Sequence, residues 1–173
     1  MTTDLVPLLL EDDAAAEGRQ YLTFRLGAET YAMALMSVKE IIEYSGVTAV
    51  PMMPPFVKGV INLRGRVVPV IDLALRFGLV PAAITRRSCI VIVEVGPPDA
   101  RQDTGVIVDT VSQVVEIPAD DVEPAPSFGT RIRPDFIAGM GKLDGQFVIL
   151  LDVERVLSAD EVVALTALPA PGA

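Results

Sequence analysis

The chain has 173 residues, 51% hydrophobic and 21% charged, enough for one ordinary domain or two small ones around a common core. Its net charge of −9 argues against a nucleic-acid ligand, whose phosphates are met by Lys and Arg, and no apolar run reaches the eighteen or so residues of a membrane span. With no histidine and a single cysteine, zinc and iron-sulfur sites lack their ligands and no phosphate-cradling glycine motif is present, so neither a metal nor a cofactor is expected. Residues 1–18 are acidic around an apolar island, Leu5 to Leu10, with the composition of a disordered tail. The start of the chain has no basic stretch of the secretory kind, and the cytoplasm is the expected compartment.

From Gln20, the segments YLTFRLG and TYAMAL flank Gly27-Ala28-Glu29 and predict a hairpin. Ser37-Val38-Lys39-Glu40 fits the capping-box pattern, in which a serine caps the backbone and a glutamate three residues on reaches back, and predicts one helical turn before strand resumes at Ile41 to Tyr44. Phe56 to Phe77 predicts two strands joined at Asn62-Leu63-Arg64-Gly65, then a short helix. Asn62 and Gly65 shape the turn, Arg64 stands at its exposed tip, and Asp72 is placed to cap the helix. Gly78 and Pro81 end that helix, and residues 78–87 form a linker. Ser88 to Val95 and Asp103 to Val108 predict another strand pair, separated by a turn-rich loop that looks dispensable, with Cys89 a small core hydrophobe. Thr110-Val111-Ser112-Gln113 is a second capping-box pattern, followed by VVEI and a long Pro-rich loop over 118–135. A third box, Ser158 to Glu161, predicts a helix to about Leu168, and 169–173 is a tail.

The stretch from Phe56 recurs 80 positions later, from Phe136. Phe56, Gly59, Leu63, Gly65, Val68 and Asp72 return as Phe136, Gly139, Leu143, Gly145, Val148 and Asp152, each suited to the same task of anchor, reversal, core or cap. The two capping-box segments are related by 73 positions, so the repeat covers most of each half. Each half then supplies about five short strands with close turns, which predicts an all-β fold of two five-stranded barrels rather than a βαβ array. A unit of some seventy residues buries little surface alone, so the two are expected to share an apolar interface with a groove between them. The expected bounds are a single domain over 19–168, its first barrel over about 20–80 plus C-terminal elements and its second over about 87–157.

Catalysis finds little support. The one carboxylate pair related by the repeat, Asp72 and Asp152, sits at strand-to-helix junctions where N-capping explains both. Arg64, Arg66, Arg76, Arg86 and Arg87 fall in one quarter of the chain and suggest either a solvated basic face or a patch that recognises acidic groups on a protein partner. Asp144 stands where the second copy needs the same turn as Arg64, so the turn does not require arginine, and recognition is the better use for its charge.

The segments Ser37-Val38-Lys39-Glu40-Ile41, Val57 to Gly65, Val68-Pro69-Val70-Ile71-Asp72-Leu73, and Pro124-Ala125-Pro126 with Phe128-Gly129 resemble the CheW family of bacterial chemotaxis coupling proteins, over about Tyr21 to Leu165. The resemblance implies two SH3-like barrels around a shared hydrophobic core and a non-catalytic adaptor. Its implied partners are a CheA-type histidine kinase, through that kinase's SH3-like regulatory domain, and the cytoplasmic tip of methyl-accepting chemoreceptors, which would recruit it to membrane arrays without insertion. It places Val38, Glu40, Ile41 and Arg64 at or beside the receptor groove, with an ion pair between Glu40 and Arg64. The same coupling role in twitching motility or another chemosensory output is one alternative, and a stand-alone SH3-like peptide-binding module is another.

Overall fold

In the computed structural model, residues 19–124 and 134–157 are described. The strands are β1 (Arg19–Leu26), β2 (Glu29–Ala34), β3 (Val38–Glu43), β4 (Val57–Leu63), β5 (Arg66–Asp72), β6 (Cys89–Val95), β7 (Gln102–Val108), β8 (Thr110–Ile117), the two-residue β9 (Val122–Glu123), β10 (Ile137–Leu143) and β11 (Gln146–Leu151). Helix α1 (Leu73–Arg76) follows β5 and α2 (Val153–Leu157) follows β11. Sheet I runs β8-β1-β2-β11-β10-β9 and sheet II runs β3-β6-β7-β5-β4, so the fold is all-β, with six and five strands where five and five were expected.

The sheets do not follow the two halves of the chain. Sheet II takes β3 to β7, whereas sheet I is assembled from β1 and β2 together with β8 to β11. The expected barrels over 20–80 and 87–157 therefore differ from the hydrogen-bonded units. The cause is a parallel pairing in each sheet. β5 pairs with β7, Val70 opposite Gly105, and β11 pairs with β2, Leu150 opposite Ala32. The hairpin β6–β7 completes sheet II just as β1–β2 completes sheet I, and a constant offset along the sequence cannot reveal that exchange.

The equivalence extends to irregularities. The register of β3 on β6 slips between Val38 and Glu40, and that of β1 on β8 slips at Thr23 and Phe24, which face Gln113 and Val111; Lys39 and Ser112 are thus the extra residues of matching β-bulges. In sheet II the chain beyond β3 crosses to the other edge, where Thr48 bridges Val60 of β4; in sheet I the chain beyond β8 does the same through β9 and β10. Each sheet thereby curls around its own small interior, with Val68, Val70, Ile90, Ile92 and Ile107 in one and Ala32, Ile117, Val148 and Leu150 in the other.

A third and larger cluster lies between the sheets, joining Phe24, Tyr31, Ile71, Val91, Val93, Val106, Phe136, Leu151 and both helices. Strand β6, CIVIVEV, is almost continuously apolar because one face looks into sheet II's interior and the other into this shared core. Across the junction, the Arg76 guanidinium carbon lies 4.9 Å from the ring centres of both Phe56 and Phe136, and its Nε donates to the Val156 carbonyl at 2.9 Å. Phe56 and Phe136 are repeat equivalents, as are Arg76 and Val156, so one arginine ties the two units together through equivalent positions.

Neither described capping-box pattern acts as one. A 3-10 turn does separate β2 from β3, but it spans Leu35–Ser37, so Ser37 ends it, while Glu40 lies inside β3. Thr110 to Gln113 are all in β8; there the Gln113 N–H donates to Thr23 Oγ1, and that hydroxyl donates to the Gln113 carbonyl. In both places cross-strand partners supply what a helix would have supplied locally. Cys89 is half-buried at the start of β6, its thiol 3.3 Å from the Arg87 carbonyl, and burial pushes its pKa up. The loop between β6 and β7 is anchored rather than dispensable. Arg101 donates to the Gly96 and Glu94 carbonyls and to Glu154 of α2. The third box and the helix expected after it, the Leu5 to Leu10 island, and the motif residues from Ala125 to Gly129 lie outside the described residues.

Candidate functional site

The β4–β5 hairpin is built to carry a side chain at its tip. Leu63 pairs with Arg66, leaving Arg64 and Gly65 as a two-residue turn with φ of 53° and 85°, the left-handed pair of a type I′ turn. Asn62 Oδ1 accepts from the Gly65 N–H at 2.8 Å and holds the turn shut. At the other end, Gly59 lets β4 pass against the neighbouring chain, since a Cβ there would stand 2.1 Å from the Thr48 carbonyl oxygen; at Gly139 it would stand 2.8 Å from Val122 Cγ1. Asp72 is buried at the start of α1, where its carboxylate accepts from the Leu75 and Ala82 N–H groups. Asp152 accepts from the Arg155 N–H at 3.1 Å, while Asp144 and Gly145 repeat the turn at φ of 52° and 79°. These residues shape the scaffold.

Glu40 and Arg64 meet across it. Edge strand β3 brings Glu40 to the hairpin tip, and Arg64 grips its carboxylate with two bonds, Nη1 to Oε1 at 2.6 Å and Nη2 to Oε2 at 3.0 Å. The hydrogen bond from Arg64 holds the Glu40 carboxyl below the usual carboxylate range, against a smaller opposing effect of burial, and the Arg64 pKa is raised in turn. Arg64 is 70% exposed and Glu40 28%, so the fork is a surface feature that spans the seam between β3 and the hairpin. Beside it Ile41 is exposed, and Val38 is partly buried against the shared core. Val38 and Ile41 lie opposite Val93 and Val91 on the face of β3 toward the shared core, whereas Glu40, opposite Ile92, turns to the other face and meets Arg64.

A second ionic group adjoins the first. Asp103, near the start of β7 and only 5% exposed at its side chain, takes Lys39 Nζ at 3.0 Å and a hydrogen bond from the Arg66 guanidinium. These residues sit beside Glu40 and Arg64 in the chain, yet Asp103 comes from 64 and 37 residues away. The five arginines expected to be near one another are divided. Arg64 and Arg66 share this end of sheet II, Arg76 lies between the sheets, and Arg86 and Arg87 precede the opposite end of β6. Among the described residues, no three His, Cys, Asp or Glu side chains gather as a metal-binding group.

Comparison with known proteins matches residues 20–161 to the CheW-like domain. The chain belongs to the CheW-like family. It is 35% identical to the chemotaxis protein CheW of Klebsiella aerogenes over 144 residues, covering 83% of this chain and 84% of that one. It is 31% identical to protein FrzA of Myxococcus xanthus, covering 83% and 89%. The crystal structure of the scaffolding protein TtCheW from Thermoanaerobacter tengcongensis superposes with a TM-score of 0.75 at 33% identity, covering 83% of this chain and 90% of that one. The fold implied by the resemblance, two barrel-like units around a shared core, is the fold observed.

Lys39 and Arg66 stand opposite Ser112 and Gln146 at the 73- and 80-residue offsets of the repeat, whereas Asp103 finds its counterpart, Thr30, only when β7 is matched with β2.

Proposed function

We propose that the chain is a non-catalytic adaptor that holds a CheA-type histidine kinase to the cytoplasmic tips of methyl-accepting chemoreceptors, so that receptor state controls kinase activity. Val38, Glu40, Ile41 and Arg64 form its receptor-facing surface, and the kinase docks elsewhere through its SH3-like regulatory domain. The observation that carries this reading is the Glu40–Arg64 fork, present in one unit and replaced in the other by Gln113 and Asp144, two residues without opposite charge. A bond that only one of two equivalent frameworks contains serves something other than the framework.

Co-sedimentation with receptor-bearing membranes and kinase tests the assignment. Arg64→Asp should reduce recruitment while the protein stays folded, and unchanged recruitment would contradict it. The adaptor role is not tied to one pathway. The same coupling role in a twitching-motility or other chemosensory pathway is the second reading, favoured by the 31% identity to FrzA.

A further inference from the structure

We infer that Lys39 and Arg66, held outward by the sheltered carboxylate of Asp103, are specificity-determining residues of the same receptor-facing surface and recognise carboxylate groups on the segment that docks against Val38, Ile41 and Arg64. The inference rests on the receptor-facing reading of that surface and extends it to a second pair of cations.

The first ground is the arrangement of charge. Asp103 is 5% exposed, whereas Lys39 and Arg66 are 41% and 62% exposed. Two cations share one carboxylate. Lysine has three N–H donors and arginine five, so both keep donors free to turn toward a second acceptor. Arg64 and Glu40 repeat the pattern, carboxylate inward and guanidinium outward. Glu94 also lies 3.9 Å from Lys39, but it is within 4.0 Å of Arg101 as well and belongs equally to the anchored loop. The rim therefore presents three cations, Lys39, Arg64 and Arg66, on a chain whose net charge is −9.

The second ground is the control built into the fold. Lys39, Glu40, Arg64, Arg66 and Asp103 correspond to Ser112, Gln113, Asp144, Gln146 and Thr30, placed by the same bulge, the same turn and the same parallel pairing. Five charged residues face one. The second unit forms its sheet without any of these ion pairs, so the charges of sheet II are surplus to folding. A buried carboxylate with two cations is itself no strong source of stability, because desolvation offsets much of the attraction.

The third ground is continuity. Lys39 lies between Val38 and Glu40, and Arg66 follows Arg64 by two residues. Asp103 joins Lys39, on the same strand as Glu40, to Arg66, two residues beyond Arg64, so the two ionic groups adjoin along the chain and across the sheet. A partner segment that combines apolar side chains for Val38 and Ile41 with carboxylates for the rim fits both parts.

The test is titration of full-length protein against a soluble cytoplasmic fragment of a methyl-accepting receptor at low and at high salt. Lys39→Gln and Arg66→Gln should each weaken binding about three- to tenfold at low salt and flatten its salt dependence, as loss of a rim charge does. Arg66→Lys, which keeps the charge, should remain within about twofold of the native protein. Native affinity and an unchanged salt response in both Gln variants would overturn the inference. Arg64→Asp measured alongside separates the two claims. If Arg64→Asp weakens binding and the Gln variants do not, the rim inference alone fails; if Arg64→Asp has no effect either, the receptor-facing reading fails with it.

Discussion

Arg64 and Asp144 occupy the same place in the two sheets, at φ of 53° and 52°, and carry opposite charge. The left-handed region suits Asp, whose short side chain bonds locally, and disfavours a long side chain such as Arg. The residue with the poorer backbone fit is thus the one whose side chain reaches across the surface to Glu40. Backbone preference alone would place Asn, Asp or Gly at the tip of both hairpins, and sheet II gives up that preference for a guanidinium.

Arg64→Asn should therefore be nearly neutral for folding. The turn gains a residue suited to φ near 53°, and the fork that is lost is exposed. Thermal melts should agree to within a few degrees, while binding to a receptor fragment falls. A large drop in melting temperature would mean that the fork holds the sheet closed.

The pH dependence of the fork has a definite sign. Arg64 holds the Glu40 carboxyl below the usual range, so the folded state takes up this proton less readily than the unfolded chain. The stabilising contribution is full above the unfolded value of about 4.3 and is lost as pH falls through the lower folded value. Side-chain carboxyl NMR should show Glu40 titrating below the usual carboxylate range. In Arg64→Met its midpoint should rise toward that range, and an unmoved midpoint would remove the cause assigned here.

The glycines of the hairpin should differ in cost according to what a Cβ meets. Gly59→Ala would drive a methyl into the Thr48 carbonyl 2.1 Å away, backbone against backbone, and should destabilise by more than about 2 kcal/mol. Gly65→Ala meets open space and bears only the left-handed φ of 85°, about 1 kcal/mol. Gly139→Ala should fall between, because its first obstacle is the movable Val122 side chain. Denaturant melts would rank the three, and equal losses would contradict the packing argument.

The two capping carboxylates should also separate. Asp72 is buried and satisfies two backbone donors, so Asp72→Ala should cost about 2 kcal/mol. Asp152 is more exposed and caps through one N–H, with Arg155 Nε 3.7 Å away, so Asp152→Ala should cost about 1 kcal/mol. Both variants, once folded, should bind receptor and kinase as the native protein does. Loss of binding without loss of stability would point to a direct role for these carboxylates.

Much of this was legible in the sequence because the chain contains its own comparison. Gly59 with Gly139 and Asp72 with Asp152 mark what both units need, and Asp144 marks Arg64 as different. What the sequence hid was non-local. A Ser-x-x-Glu pattern reads as a helix start, but Glu40 finds its partner 24 residues away, in the turn of the β4–β5 hairpin. The exchange of β1–β2 for β6–β7 also obscured Asp103, since its counterpart Thr30 precedes it in the chain rather than following. Parallel pairing between distant strands leaves no local signature.

The most direct test of the adaptor role is reconstitution of receptor-bearing membranes with a CheA-type kinase, with kinase autophosphorylation as the readout. Adding the native protein should bring the kinase under receptor control, and the Arg64→Asp protein, equally folded, should fail to do so. Kinase activity that is the same with the native protein, with Arg64→Asp and with neither would contradict the account.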